Sequence, residues 1–226
     1  LRHQLNPAFQ SEKKYYISLP VLGYTQISYH NTSFSLQETF EKDIHSFYNS
    51  LLPENNIYAD MQTNLFSAGM GIHNTYLSLN IAQKGKVNVG LPKDLYKLII
   101  YGTPEKYENL FNLCSLGFSG ISYMETSIGI SQQFNEQWTI GVKLKLLTGN
   151  ANMSFVADNL DISGGVDSWN LKGQALFNYA GAADMQTDKI YELSHVKYPN
   201  SVTEWLKPHG YGAGIDFGVH FRMLQN

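Results

Sequence analysis

The stretch Tyr211-Gly-Ala-Gly-Ile-Asp-Phe-Gly-Val-His-Phe-Arg-Met223 decides the fold class of this chain. Its odd positions are apolar from Tyr211 to Met223, and its even positions are glycine or polar from Gly212 to Arg222. A strand in a soluble sheet runs about 5–6 residues, whereas a strand that crosses a bilayer at a tilt needs about 9–11. The unbroken alternation therefore predicts a strand of an outer-membrane-type β-barrel, with its odd face toward lipid and its even face toward a watery lumen.

The same alternation recurs upstream, and this repetition favours a barrel over one unusual strand. Gln137–Thr148 and Ile121–Gln132 carry it on either side of the polar turn Gln133–Glu136, which predicts a hairpin. In that hairpin we expect Glu125 to lie across from Lys143 as a charge pair. Further strands are predicted at Tyr15–Leu19, Tyr24–His30, Phe66–Ile72 and Leu77–Gln83, around Met153 and Phe155, and from Trp169 to Tyr179, with a second hairpin turn at His73–Thr75.

Composition agrees with an all-β, transmembrane, antiparallel barrel. Charged residues make up 15% of the chain, against about 25% in soluble domains. Aromatic residues at 13% and 19 glycines fit interfacial girdles and tightly curved strands. No stretch approaches the roughly 20 apolar residues of a transmembrane helix. The single Cys114 excludes an internal disulfide framework, and a net charge of −3 supplies no basic patch for nucleic acid. The expected partner is outer-membrane lipid.

Two segments have helical rather than strand spacing. Ser35–Glu38 forms a capping box, and apolar residues follow at helical intervals to Leu51. A second short helix is predicted to open at Pro92 and to stop at Gly102. Ala180–Pro208 lacks alternation and predicts a long extracellular loop. We expect residues 1–226 to form one barrel domain of about eight to ten strands, a signal peptide to have been removed, and further strands to follow in a larger barrel.

Several pieces of the chain resemble a known but uncharacterised family. The opening Arg2–Phe9 with Tyr16–Gly23 resembles a family of Bacteroidota outer-membrane proteins catalogued as a domain of unknown function, and Gly90–Asp94 and Gly141–Lys145 look similar to it. The tripeptide Asn6-Pro7-Ala8 also resembles the long-chain fatty-acid channel superfamily. That resemblance implies that the chain start enters the barrel as a hatch, and the first one implies a longer chain.

Charged and polar side chains on the polar faces of the predicted strands are the candidate functional residues. They allow two interpretations that the sequence leaves open. The side chains satisfy one another as a structural network, since charges cut off from water must be paired, or they line a permeation path whose charge tunes selectivity. The set comprises Glu125, Lys143, Lys145, Lys172, Asp216, His220 and Arg222.

Enzymatic and metal-dependent functions have little support in the sequence. Asp216 and His220 share a face, but four residues along a strand span about 13 Å, far beyond the roughly 3 Å that a base and its orienting group need. No Gly-x-Ser-x-Gly or His-Glu-x-x-His motif is present. Asp158, Asp161 and Asp167 miss the spacing of a calcium loop. The expectation is a protein that is not an enzyme and has no cofactor and no metal.

Two functions of different class remain from the sequence. One is a channel or transporter for a small or hydrophobic solute in the bacterial outer membrane. The other is a non-transporting accessory barrel in an envelope complex for secretion, assembly or surface attachment, with other envelope proteins as partners and with Ala180–Pro208 or the Ser35–Leu51 helix as its contact.

Overall fold

The structure is a computed structural model that describes residues 5–11, 13–19, 24–33, 43–102, 110–164, 168–187, 193–197, 200–205 and 207–223. Antiparallel strands dominate it, so the predicted all-β class is confirmed. The strands are β1 (Tyr15–Ser18), β2 (Thr25–Asn31), β3 (Glu54–Ile72), β4 (Thr75–Pro92), β5 (Leu110–Asn112), β6 (Gly117–Gln133), β7 (Trp138–Gly164), β8 (Trp169–Ala180), β9 (Asp184–Thr187), β10 (Leu193–Lys197) and β11 (Gly210–Phe221). The helices are α1 (Ile44–Ser50), α2 (Lys93–Tyr101) and α3 (Val202–Trp205).

The main sheet is an antiparallel meander in chain order. Strands β3, β4, β6 and β7 pair successively along its centre. One side of β3 pairs with β1 and then with β2, and one side of β7 pairs with β8 and with β11, so each edge is a strand in two pieces. Among the described residues β1 and β11 do not pair with each other. The described sheet is therefore open, and closure into a barrel stays a prediction.

The central strands are longer than the sequence predicts. β3, β4 and β6 span 19, 18 and 17 residues, and β7 spans 27. The strands predicted at Gln137–Thr148 and around Met153 are one continuous strand. The predicted strands end too early because only part of each strand alternates between apolar and polar residues. Beyond that part the two faces no longer differ in polarity, although backbone pairing continues.

Burial along these strands is the reverse of that in a water-soluble sheet. Ile128 is 63% exposed and Leu144 is 59% exposed, whereas Ser127 and Lys143 on the other face are 3% and 4% exposed. The apolar and the polar residues of these strands therefore lie on opposite sides of the sheet, as the alternation predicts, while the contact of one side with lipid stays a prediction. The pairing register aligns the exposed residues in rows across the sheet. Two such rows are Tyr15, Met70, Leu77, Ile130, Val142 and Phe217, and Ile17, Ala68, Leu79, Ile128, Leu144 and Ile215. We call these two rows and the exposed residues beside them on the same strands the apolar band, and the opposite side the polar face.

The two predicted hairpins form, but one register is wrong. His73, with φ at 54°, and Asn74 join β3 to β4 in a tight turn. In the β6–β7 hairpin Glu125 lies opposite Leu147, and Gly129 lies opposite Lys143. The prediction failed because the turn comes later than expected, where the Asn135 side chain accepts hydrogen bonds from the backbone N–H groups of Gln137 and Trp138.

Helices α1 and α2 lie between strands at the end of the sheet remote from those hairpins. Asp43 is the N-cap of α1, and its side chain accepts hydrogen bonds from Ser46 and His45. The hydrogen bond from the Ser46 hydroxyl is the main reason why the pKa of Asp43 is held below its ordinary value. The predicted cap at Ser35–Glu38 lies outside the described residues. α2 confirms the second predicted helix, with Gly102 as its C-cap.

The segment predicted as a long extracellular loop, Ala180–Pro208, contains short secondary structure, and its extracellular position stays a prediction. β9 pairs with β10 in this segment, and α3 follows them. The short strands were missed because a strand of four or five residues gives too few alternations to recognise. No helix in the described ranges is long and apolar enough to cross a membrane.

Candidate functional site

Four of the seven predicted polar residues meet on the polar face. Lys145 lies 2.5 Å from the Asp216 carboxylate. Lys143 lies on the same face, directly opposite Asp216 in the β7–β11 pairing. It interacts electrostatically with Asp216, with Lys145 and with Glu125. The structure therefore joins Glu125, Lys143, Lys145 and Asp216 in one charged cluster.

The partner of Glu125 in this cluster is a residue that the sequence analysis missed. The Lys84 ammonium group lies 2.8 Å from the Glu125 carboxylate, and the Glu125 side chain is only 8% exposed. Lys84 was missed because β4 was predicted to end at Gln83. Its even position in a strand that continues was the signal that could have found it.

The other three predicted residues lie apart from the charged cluster. Lys172 is on β8, opposite Asp161, where the strand is exposed and lies beyond the apolar band. His220 and Arg222 lie near the end of β11, next to the β6–β7 turn, where the Arg222 backbone N–H donates to the Gln137 carbonyl. The seven residues are therefore not one site: Lys172 does not belong to it, and His220 and Arg222 form part of a second feature.

That second feature is the N-terminal segment, residues 5–11, which packs on the polar face. Asn6 donates from Nδ2 to the carbonyl of Val219, while its Oδ1 accepts from the Ala8 backbone N–H. Ala8 is fully buried. The Phe9 ring contacts the ring of His220 edge-on, with 5.0 Å between centroids. Asn6-Pro7-Ala8, the tripeptide predicted to enter the barrel, thus lies against the face that the prediction assigned to the lumen.

Two glycines make room for this segment. A Cβ atom on Gly141 would lie 2.3 Å from the carbonyl carbon and oxygen of Pro7, and one on Gly218 would lie 1.9 Å from Asn6 Oδ1. Gly141 and Gly218 are direct neighbours in the β7–β11 pairing. The two missing side chains form a seat for the Asn6-Pro7 backbone. A cavity of about 450 Å³ opens beside this seat, lined by residues of the segment and of the hairpin end, including Phe9, Gln133, Thr139, His220 and Arg222.

The remaining candidates for metal binding or acid–base chemistry are Asp158, Asp161, Asp167, Asp216 and His220. Among the described residues no three His, Cys, Asp or Glu side chains come together in a metal-binding arrangement. Asp158 and Asp161 flank a bulge in β7, and Asp167 lies outside the described residues. Asp216 is paired with Lys145, and His220 is packed on Phe9. The arrangement can hold charge and pack a peptide segment, which is a binding and lining role.

One comparison with known proteins places the chain in a family. A family model matches residues 7–226, and its description is a family of unknown function, DUF5723. The chain belongs to this family. No curated protein matches it, and neither does any solved structure. The predicted membership in an uncharacterised family is confirmed at this level, while the Bacteroidota origin and the likeness to fatty-acid channels stay predictions.

Asp216→Asn should lower the free energy of unfolding of this DUF5723 chain by about 1 kcal/mol, because Lys145 loses a charged partner in a site only about a third exposed. Asp60→Asn is the matched control: Asp60 lies 3.8 Å from Lys86, and both side chains are more than half exposed. We expect its effect to stay below about 0.5 kcal/mol. Urea titrations of the purified protein measure both, and equal losses would contradict a structural role for the Lys145–Asp216 pair.

Proposed function

We propose that this protein is a β-barrel of the bacterial outer membrane, with its apolar band facing lipid and its polar face lining the lumen. The observation that carries the proposal is the reversed burial of the long strands. Phe217, Ile215 and Ile17 are exposed by more than half, in rows that cross the sheet from β1 to β11. Large continuous apolar surfaces on a protein mark contact with lipid or protein, and a barrel wall needs this pattern along every strand.

The two ends of the sheet fit one orientation in such a membrane. Short turns of outer-membrane barrels lie on the periplasmic side, and the longer connections lie outside. The His73–Asn74 turn and the Phe134–Gln137 turn lie at the end that holds the N-terminal segment, since Gln10 donates to the Asn74 carbonyl. We place this end in the periplasm. The parts of the long strands beyond the apolar band then face outward, together with α1, α2 and the segment that contains β9 and β10.

Lipid also sets a requirement that the proposal must meet. An unpaired strand edge cannot be left in the hydrocarbon region, because its backbone groups find no hydrogen-bond partner there. β1 and β11 each have one edge that no described strand covers. A barrel therefore needs strand partners on both edges.

Within the barrel we propose passage of a small solute, with the N-terminal segment as a plug. The segment occupies the polar face at one end and adjoins a cavity of about 450 Å³. The lining that surrounds the charged cluster includes Ser67, Asn80 and Ser127, all buried and polar. Such a lining favours a polar solute over a hydrophobic one, since an apolar molecule gains nothing from displacing water there.

The accessory barrel remains a second candidate because of the charge pairs. Lys84–Glu125 and Lys145–Asp216 are close ion pairs, so four charges of the cluster are engaged with one another. A conducting lumen needs hydrated charge that can interact with the solute, and paired charges supply less of it. A closed barrel of this kind would act through its surfaces, as a subunit of an envelope complex.

Planar-bilayer recording of the purified protein, together with a mild-detergent pull-down from its native envelope, separates the two candidates. We expect steady conductance from the protein alone, which rises when residues 1–11 are deleted. The same deletion in a protein with Glu125→Gln tests whether the charged cluster lines the path, because ion selectivity should then change. A protein that never conducts and is recovered in fixed proportion with other envelope proteins would replace passage by the accessory role.

A further inference from the structure

The polar face continues beyond the apolar band into a groove of about 680 Å³. It begins at Lys86, two residues beyond Lys84 on β4, and extends across β2, β3, β4, β6 and β7. Two neighbouring rows of the pairing register form its floor. One row is His30, Tyr58, Asn88 and Ser119, and the other is Asp60, Lys86, Ile121 and Asn152. We call this the distal groove.

Two aromatic rings lie in the distal groove. The rings of His30 and Tyr58 stack on each other, with 24° between their planes and 6.0 Å between centroids. Polar groups surround them: the amides of Asn88 and Asn152, the hydroxyl of Ser119, and the opposite charges of Asp60 and Lys86. The last two lie 3.8 Å apart and largely cancel. The groove therefore offers the exposed surface of a stacked aromatic pair inside a rim of hydrogen-bonding groups with little net charge.

One atom in the distal groove lacks a hydrogen bond. The side-chain oxygen of Asn88 is buried and accepts none from any described residue. A buried polar atom without a partner costs about 1–3 kcal/mol, and natural proteins keep few of them. The Asn88 side chain therefore carries a folding cost at a position on the groove floor.

We propose that the distal groove binds sugar rings of a neutral saccharide. The C–H face of a pyranose is apolar and packs flat on aromatic rings, while its hydroxyl groups both donate and accept around the ring edge. Tyr58 and His30 supply the aromatic surface, and the side-chain amides of Asn88 and Asn152 form the rim together with the hydroxyl of Ser119. The inference deepens the proposed function, on which it rests for the role of the polar face: the polar solute is a saccharide, held on the face before passage.

Calorimetric titration in a sugar-free detergent such as an amine oxide tests the groove directly. The probes are maltohexaose, cellohexaose and the N-acetylated chitohexaose. We expect saturable one-to-one binding of at least one of them. Tyr58→Ala should weaken that binding about tenfold, since it removes one of the two aromatic rings. Tyr29→Ala is the matched control, because Tyr29 lies on β2 beside His30 but on the opposite face, and its affinity should stay within about twofold.

Asn88→Val separates a binding role from a structural one. Valine suits a strand and removes the unpaired oxygen, so the urea midpoint should stay level or rise, while saccharide affinity should fall about fivefold. Absence of binding by all three probes would overturn the proposal, as would equal loss in Tyr29→Ala or affinity unchanged in both groove variants. Conductance tests the proposed function separately. A protein that conducts but binds no saccharide would contradict only the saccharide site. A protein that binds saccharide but never conducts would contradict only the proposed passage of a solute.

Discussion

Phe217→Arg should lower the free energy of unfolding in a lipid bilayer by about 2–4 kcal/mol. Phe217 is 74% exposed, and its neighbour across the β7–β11 pairing is Val142, in a row of apolar residues. If this row lies in the middle of the membrane, the guanidinium must enter hydrocarbon or pull water and headgroups toward it. Val142→Arg should give a loss of similar size. Folding from urea into lipid vesicles, followed by gel migration without heating, measures both.

Gly212→Arg is the matched control for this charge. Gly212 lies on the same strand but on the polar face, and a Cβ there would meet Leu147 at 3.5 Å, an ordinary contact. We expect this variant to lose less than about 1 kcal/mol, because its charge can reach a wet lumen. Equal losses from Gly212→Arg and Phe217→Arg would contradict the assignment of the faces. A wild-type protein that stays folded and monomeric without detergent or lipid would contradict the membrane itself.

The faces of the band could be predicted from sequence because a strand repeats every two residues. From Tyr211 to Met223 apolar residues alternate with glycine or polar residues, so the sequence alone assigns each side chain to a face. The outer halves of β3 and β4 lack this contrast. Around Asn55–Tyr58 polar residues fall on both faces, and pairing with β4 and β2 makes the segment a strand. Long-range pairing of this kind has no local signal.

The split last strand shows a second limit of the sequence. Ala180 pairs with Asn152 and Gly210 pairs with Gly149, so β8 ends where β11 begins along β7. β8 and β11 run in the same direction along β7, so together they occupy one strand position in the sheet. The segment between them leaves that position and returns to it. In sequence these are two strands with a loop between them. The same limit explains the charged cluster. Its other members were predicted, but Lys84 was not, because its pairing with Glu125 depends on which strands become neighbours.

Gly141→Val should release the N-terminal segment from the polar face. The added Cβ would lie 2.3 Å from the backbone of Pro7 and 2.6 Å from the Ala8 nitrogen. These are backbone atoms, which cannot turn aside as the end of a side chain can, so the segment itself must lift. Overpacking of this kind costs about 1–3 kcal/mol, which shifts the equilibrium toward the displaced arrangement by about fivefold to a hundredfold.

Thiol labelling at position 8 measures the release independently of any transport. Ala8 is fully buried, so in an Ala8→Cys, Cys114→Ser background the thiol should react slowly, and Gly141→Val should raise its labelling rate about tenfold. Gly214→Val is the control, because Gly214 shares the polar face and a Cβ there meets only Lys145 at 3.7 Å. If the segment is a plug, single-channel conductance should rise in the first variant and not in the second. Faster labelling without more current would support the packing of the segment on Gly141 but contradict its role as a plug. The segment would then have a structural role, and the path would be closed elsewhere.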